Sequence, residues 1–451
     1  MWDIFNTTKC AQENWHNSKL GDTRRNKRVI ELAKALLDKP SESLPCQISQ
    51  WKDLKGAYRL LSSSKVNHQS LQEEHWHNTL LKARERQKTI LFIQDTSELD
   101  YSKHTSSKDL GYIGNHGGKG MLFHTCLTVE YEKATSAVLG LAYQYAWTRN
   151  NKTTTKHTET RLQTSQRWNE GKFWEQTLTQ IGTPQNNWVN VGNRGNDIFT
   201  FIRFCKNSSW NYVIRAKHNR KIITQNNQQE KLFVWIKSLP QKAVKTITLN
   251  QQEIELSISW EKIKISTPKN GFKKSNYEEI EVWCIRCWQE NNNLEWVLLT
   301  NIPILSTDEA LEKIEWYKSR WLIEEYHKCL KTGCNIEKRQ LTTAHGLLSL
   351  LALLSIIATK LIELKFLVRN SPEDKARNAI PQLILRMICA RFRLSEESVT
   401  LRQVWHKIAN LGGFIGRKSD GDPGWQTLWK GWLRVLDMVA GAESLSIPKC
   451  G

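Results

Sequence analysis

The chain is short of acid. Its 45 aspartates and glutamates face 65 lysines and arginines, a formal charge of +20 over 451 residues. That imbalance points to a polyanionic partner such as nucleic acid, against the plainer alternative of a solvated basic surface. A cysteine framework is also missing. Ten cysteines are scattered, and the one close pair, Cys284 and Cys287, has no second pair to complete a four-ligand zinc site. They read as free thiols of a reducing cytoplasm. The start, Met1-Trp-Asp-Ile-Phe-Asn-Thr7, has no basic stretch followed by an apolar one, so no signal peptide is expected. The most apolar run, Leu347 to Ala358, is interrupted by Ser349 and Ser355 and stops at Thr359-Lys360. It reads as a buried helix too short to span a bilayer, so no membrane partner is expected. No internal repeat is evident. What the chain has in excess is tryptophan, twenty in all, whose faces among Lys and Arg can stack on exposed bases.

A chain of this length predicts two or three units. The first, residues 1–70, is helical in pattern, with basic clusters at Leu20-Gly-Asp-Thr-Arg-Arg-Asn-Lys-Arg28 and Trp51-Lys-Asp-Leu-Lys-Gly-Ala-Tyr-Arg59. It fits a small DNA-binding domain, or a solvated helix pair. From about residue 88 the period changes. Thr89–Gln94, Met121–Val129 and Ala137–Ala142 read as strands, with a Gly-rich loop from Gly111 to Gly120. A helical stretch near Thr158–Leu178 follows, then a strand at Trp188–Val191, a short helix from Asp197 and a strand at Tyr212–Ala216. This order predicts an α/β, ribonuclease-H-like core over residues 71–365. A β-rich insertion is expected at about 220–295, where alternating runs such as Ile254-Glu-Leu-Ser-Ile-Ser259 occur. Trp296–Thr300 closes it as a strand, and Ser306-Thr-Asp-Glu309 is a capping box opening the next helix. Residues 366–451 read as a helical C-terminal domain.

Candidate chemistry sits at three places. Asp95 ends the first strand, Asn193 follows the strand at Trp188–Val191, and Glu324 lies on a helix with Tyr317, Arg320, Lys328 and Lys331 three or four residues apart on one expected face. Two strand-end acids and a helix glutamate are what a two-metal phosphoryl-transfer enzyme needs, because three carboxylates hold the ion pair. Here the middle position is a neutral amide. Arg and Lys beside one carboxylate and an aromatic suit a metal ligand next to a phosphate-binding surface. A surface helix with i,i+4 ion pairs is the alternative.

The spacing Tyr317-x2-Arg320-x3-Glu324-x6-Lys331 resembles the helix pattern of bacterial insertion-sequence DDE transposases of the IS-four family, in the Tn-five branch. Asp95-Thr96-Ser97, the stretch at 192–197, Trp321-Leu-Ile-Glu-Glu325, and Gly416–Gly424 with Leu428-Trp-Lys-Gly431 fall where that family has its motifs. The resemblance covers nearly the whole chain. It implies cut-and-paste transposition: two copies synapse the terminal inverted repeats of double-stranded DNA, cleave through a hairpin with a flipped base, and join the ends to target DNA. Asp95 and Glu324, with position 193 between them, would then be the catalytic and metal-binding residues, for Mg²⁺ or Mn²⁺. Arg215, Lys217, Tyr317, Arg320, Lys328 and Lys331 would hold DNA, Trp296 would lie at the flipped base, and Trp321 would assist. Residues 1–70 would recognise the ends, and the C-terminal domain would pair two subunits into a homodimer.

The family has aspartate where this chain has Asn193. The amide brings no charge to compensate a hard cation, so this copy is expected to be impaired in strand cleavage. Asp197, four residues on, matches the family's second Asp in that motif, and a helix start is its simplest explanation. Relatives also tend to have Glu near Thr164. Three readings compete. They are an active or recently inactivated transposase, a dead one that still binds ends and acts as an inhibitor, and a ribonuclease-H-like nuclease outside transposition. The last is disfavoured by the basic N-terminal helices and the C-terminal block.

Overall fold

The protein is described from a computed structural model covering residues 6–104, 107, 109–114, 117–133, 136–149, 170–249, 252–268, 279–290, 294–417, 420–421 and 423–446. Five helices come first: α1 (Thr7–Trp15), α2 (Thr23–Asp38), α3 (Leu44–Gln47), α4 (Trp51–Leu61) and α5 (Glu73–Arg84). Their apolar positions recur at helical spacing. Val29, Leu32, Ala33 and Leu36 of α2 and Leu54, Ala57, Leu60 and Leu61 of α4 are buried, leaving the basic residues between them toward solvent.

The period then becomes that of a sheet. Strands β1 (Ile90–Asp100), β2 (Gly111–Ile113), β3 (Gly118–Glu130) and β4 (Ala137–Trp147) precede helix α6 (Phe173–Ile181), β5 (Trp188–Gly192), α7 (Phe199–Asn207) and β6 (Asn211–Arg215). β3 lies antiparallel between β1 and β4, while β1, β5 and β6 run parallel. This is the mixed sheet of a ribonuclease-H-like core, in the expected order. The strands are longer than their apolar runs: β1 runs on past Asp95 to Asp100. The Gly-rich segment is largely strand and not loop, because Gly111 pairs with Gly120. A Cβ on Gly120 would lie 1.9 Å from the Leu99 carbonyl, so the glycines admit close backbone contact within the sheet. Of the helix expected near Thr158–Leu178, only the part in α6 falls within the described residues, and the Gln163–Trp168 stretch lies outside them.

The insertion is built from β7 (Lys221–Ile223), β8 (Gln229–Lys231), α8 (Leu232–Ser238), β9 (Ala243–Leu249), β10 (Gln252–Ile265) and β11 (Ile280–Trp288), then β12 (Glu295–Thr300). It extends the core sheet: β12 pairs antiparallel with β6, and β11 and β10 follow, giving twelve strands in one sheet. Helix α8 within it was not expected, because its apolar residues follow a strand-like run.

Helices α9 (Thr307–Lys318) and α10 (Trp321–Lys328) carry the Tyr317–Lys331 pattern, and α11 (Ala344–Asn370), α12 (Gln382–Phe392), α13 (Leu401–Leu411) and α14 (Trp425–Ser446) complete the chain. Ser306 caps α9 by accepting from the Glu309 N–H, and Glu309 reaches back to the N–H of Leu305. The apolar run at Leu347–Ala358 belongs to a helix of 27 residues, so it is not short. Its first 20 residues are apolar and long enough to cross a membrane, yet 78% of that window is buried inside the protein. The serines do not interrupt it. Ser355 donates to the buried Gln144 Oε1 at 2.8 Å, so its hydroxyl is satisfied inside the core.

Candidate active site

Two strands and one helix converge on the candidate chemistry. β1 and β5 are adjacent and parallel, with Gln94 opposite Gly192, so Asp95 and Asn193 emerge side by side where β5 ends and β1 runs on. Beneath them runs a chain of fully buried polar groups. Gln94 Nε2 donates to Asn190 Oδ1 at 2.6 Å, and Asn190 Nδ2 donates to Asn196 Oδ1 at 2.9 Å. His124 on β3 joins it, with Nε2 2.9 Å from Gln94 Oε1 and Nδ1 2.8 Å from Thr96 Oγ1. Burial drives its pKa down to about 3, so the ring is neutral and one nitrogen donates while the other accepts. Gly192 lets the turn close over this chain: a Cβ there would stand 2.1 Å from Asn196 Oδ1. Nothing in the strand periodicity signalled these polar partners, because they occupy positions where apolar residues are the default.

Asn193 begins a single turn of 3₁₀ helix (Arg194–Asn196). Its Oδ1 accepts from the Gly195 N–H at 2.7 Å, and its Nδ2 donates to Asp95 Oδ1 at 2.7 Å. The Gly195 N–H demands an acceptor, which fixes the oxygen there and turns the amide nitrogen toward Asp95. The Thr96 N–H also donates to Asp95 Oδ1, at 2.9 Å. Burial raises the pKa of Asp95, opposed by the Thr96 N–H and Arg320, pushed further up by Glu324 and lowered again by the Asn193 bond.

The helix side is less regular than the spacing predicted. Tyr317, Arg320, Glu324, Lys328 and Lys331 do not lie on one continuous helix, although Arg320 touches both Tyr317 and Glu324. A turn at Ser319–Arg320 separates α9 from α10, where Ser319 Oγ donates to the Glu315 carbonyl, and residues Cys329–Gly333 form a π-helical turn. Tyr317 is buried, Arg320 is mostly buried, and Glu324 and Lys328 are exposed. Arg320, at this turn, lies between the acids. Its Nη2 lies 2.6 Å from Glu324 Oε1 and its Nη1 3.6 Å from Asp95 Oδ2. The i,i+4 ion pair is therefore real, and it joins the helix to β1. Tyr326, two residues past Glu324, is held by Gln144 Nε2 at 3.2 Å. Gln144 also accepts from Gln72 and donates to Thr125, tying α10, the sheet and the N-terminal helices together.

Asp197 plays another part. Its side chain does not cap α7, whose N-cap is Ile198. Fully buried, it accepts from the N–H groups of Lys217 and His218 at 2.7 and 2.9 Å and pairs with Arg220. Holding the loop after β6 leaves it no role beside Asp95.

Three family models match. The Transposase DNA-binding model matches residues 8–66, the Transposase DDE domain model residues 169–359, and the Transposase Tn5 dimerisation domain model residues 356–447. The chain belongs to the Tn5-like DDE transposases. It is a DNA transposase, of an enzyme class that cleaves and joins DNA, with domains for binding DNA and for dimerisation.

The remaining predicted residues of this transposase are spread over the sheet and the helices after it. Trp296 on β12 meets Tyr317 edge-on, with ring centroids 5.3 Å apart. Arg215 ends β6, and its guanidinium donates to the Glu295 carbonyl at 3.0 Å. Lys217 lies beyond the strand and not on it, with its side chain exposed. Trp321 packs on Phe366 of α11, 6.2 Å between centroids. Lys331 faces Glu337 at 3.8 Å.

DDE domains generally use divalent metal, and the residues here fit it poorly. Asp95 and Glu324 are the only two carboxylates among the three candidate positions. Asn193 presents N–H to the space between them, and Arg320 already touches both acids. Ligating through the Asn193 oxygen would require turning the amide away from the Gly195 N–H and giving up that hydrogen bond.

Proposed function

We propose that this transposase is of the cut-and-paste type and that Asn193 has cost this copy most of its strand-cleavage activity. One observation carries the reading: the Asn193 amide nitrogen, and not an oxygen, faces Asp95. Residues 1–70 recognise the terminal inverted repeats, residues 71–365 form the catalytic unit, and residues 366–451 pair two copies on double-stranded DNA. Asp95, Glu324 and position 193 are the catalytic positions. In an intact site they hold Mg²⁺, which Mn²⁺ can replace. Arg215, Trp296, Tyr317, Arg320, Trp321, Lys328 and Lys331 line the DNA path, the cations on phosphates and Trp296 at an unstacked base. The setting is the bacterial cytoplasm, on the nucleoid.

End binding survives the substitution, because none of the N-terminal residues depends on Asn193. The chain can thus grip ends and pair with active subunits as an inhibitor. The test is cleavage of DNA carrying the terminal repeats that flank its own gene, in Mg²⁺ or Mn²⁺, for the chain beside Asn193→Asp. Cleavage by the variant alone, at least about 10²-fold faster, is expected. Equal cleavage by both would overturn the reading, while end binding by both should be equal and steeply salt-dependent.

A further inference from the structure

Asp95 and Glu324 stand on different elements, and one guanidinium contacts both. The Arg320 side chain is only 20% exposed, lies 3.6 Å from Asp95 and 2.6 Å from Glu324, and sits beside the Tyr317 ring with its carbon 6.0 Å from the centroid. The other Asp95 oxygen is taken by two donors, the Thr96 N–H and the Asn193 amide. Each group in this cluster therefore has a partner of opposite charge or complementary hydrogen bonding without any ion. An aspartate at 193 would place a second carboxylate oxygen about 2.7 Å from Asp95, a repulsion that a divalent cation relieves and an amide removes.

We propose that Arg320 is an internal counter-ion that takes the place of a divalent cation between Asp95 and Glu324, with Asn193 completing a site that excludes metal. This rests on the reading that position 193 is a catalytic position. A cation entering this site must displace a guanidinium from two carboxylates at once, against the repulsion of that fixed charge. The same contacts make Arg320 a contested residue. A DNA phosphate can take the guanidinium only by leaving the two acids uncompensated, so its grip on DNA and its grip on the acids are alternatives.

The test is calorimetric titration of Mn²⁺ into the full chain without DNA, at low ionic strength. The chain itself should show no saturable binding in the millimolar range. Arg320→Gln, which frees the acids but keeps Asn193, should bind at least about 10-fold more tightly, and the Arg320→Gln/Asn193→Asp double variant more tightly still. If Arg320→Gln fails to fold, Arg320→Met serves. It keeps an apolar stem of similar length but removes the charge, and should admit Mn²⁺ more readily than the parent. Mn²⁺ binding by the parent as tight as by the Arg320 variants would overturn the proposal. So would Arg320 variants that bind no better than the parent, since Asn193 alone would then account for exclusion. Neither result depends on DNA cleavage, so the counter-ion can fail while the Asn193 reading stands, and the reverse.

Discussion

Asp95 and Asn193 rise from adjacent parallel strands above a chain of buried, mutually bonded polar groups, whereas Glu324 stands on the exposed face of an eight-residue helix between a turn and a π-helical bulge. The strand side is over-determined: Gln94, His124, Asn190, Asn196 and Gly192 each fix another's position. The helix side is tied in through Tyr326 and Arg320, and its acid is exposed to solvent. Two of the three candidate positions are thus set by buried partners in the sheet, and the third faces solvent. A neutral amide is easily accommodated where neighbours supply a donor on one side and an acceptor on the other, as the Gly195 N–H and Asp95 do for Asn193.

The largest effect that would break this contrast is Gln94→Leu. It strands His124 Nε2 and Asn190 Oδ1 in the core, and is expected to lower stability by about 2–5 kcal/mol in denaturant unfolding. A loss no greater than at an exposed site would remove the over-determined strand side. Gly192→Ala should cost about 1–3 kcal/mol, because its Cβ meets Asn196 and the turn carrying Asn193 must shift. Unaltered melting of that variant would count against the close approach.

Acid tests the two sides together. Burial lowers the pKa of His124 under the strands and of His327 on the helix from 6.5 to about 3. Their folded values lie below the unfolded one, so unfolding takes up protons. Their contribution is present above about pH 6.5 and drains as pH falls toward 3, by up to about 1.4 kcal/mol per pH unit for each histidine. Melting temperatures should fall together through that window, and His124→Gln should flatten the slope. The smallest effect is expected of Glu324→Gln, no more than about 0.5 kcal/mol, because its ion pair is exposed and i,i+4. A larger loss in thermal unfolding would mean that the helix side is as rigid as the strand side.

Much of this was legible because the chemistry lies at places that sequence marks. The strand order, the acid ending β1's apolar run, the capping box at Ser306 and the helix spacing to Glu324 are local patterns, set by alternation and by a cap's need for an acceptor. Gln144 and His124 were invisible. Their meaning lies in partners up to 211 residues away, such as Ser355, and a lone polar residue in a strand carries no sign of them. The break at Ser319 was also missed, because the heptad-like spacing of Tyr317, Arg320 and Glu324 reads as one uninterrupted face. Asp197 was assigned to a helix start for the same reason: four residues after Asn193 it looks local, while its carboxylate is spent on the loop after β6.

Sequence by itself determined the charge, the family and the neutral residue at 193, since these are properties of residue type and spacing alone. Only the tertiary structure decided which atom of Asn193 faces Asp95 and that Arg320 bridges both acids. Those are contacts across 98 and 225 residues of chain, and their geometry follows from how β1, β5 and α10 pack, which no local pattern encodes.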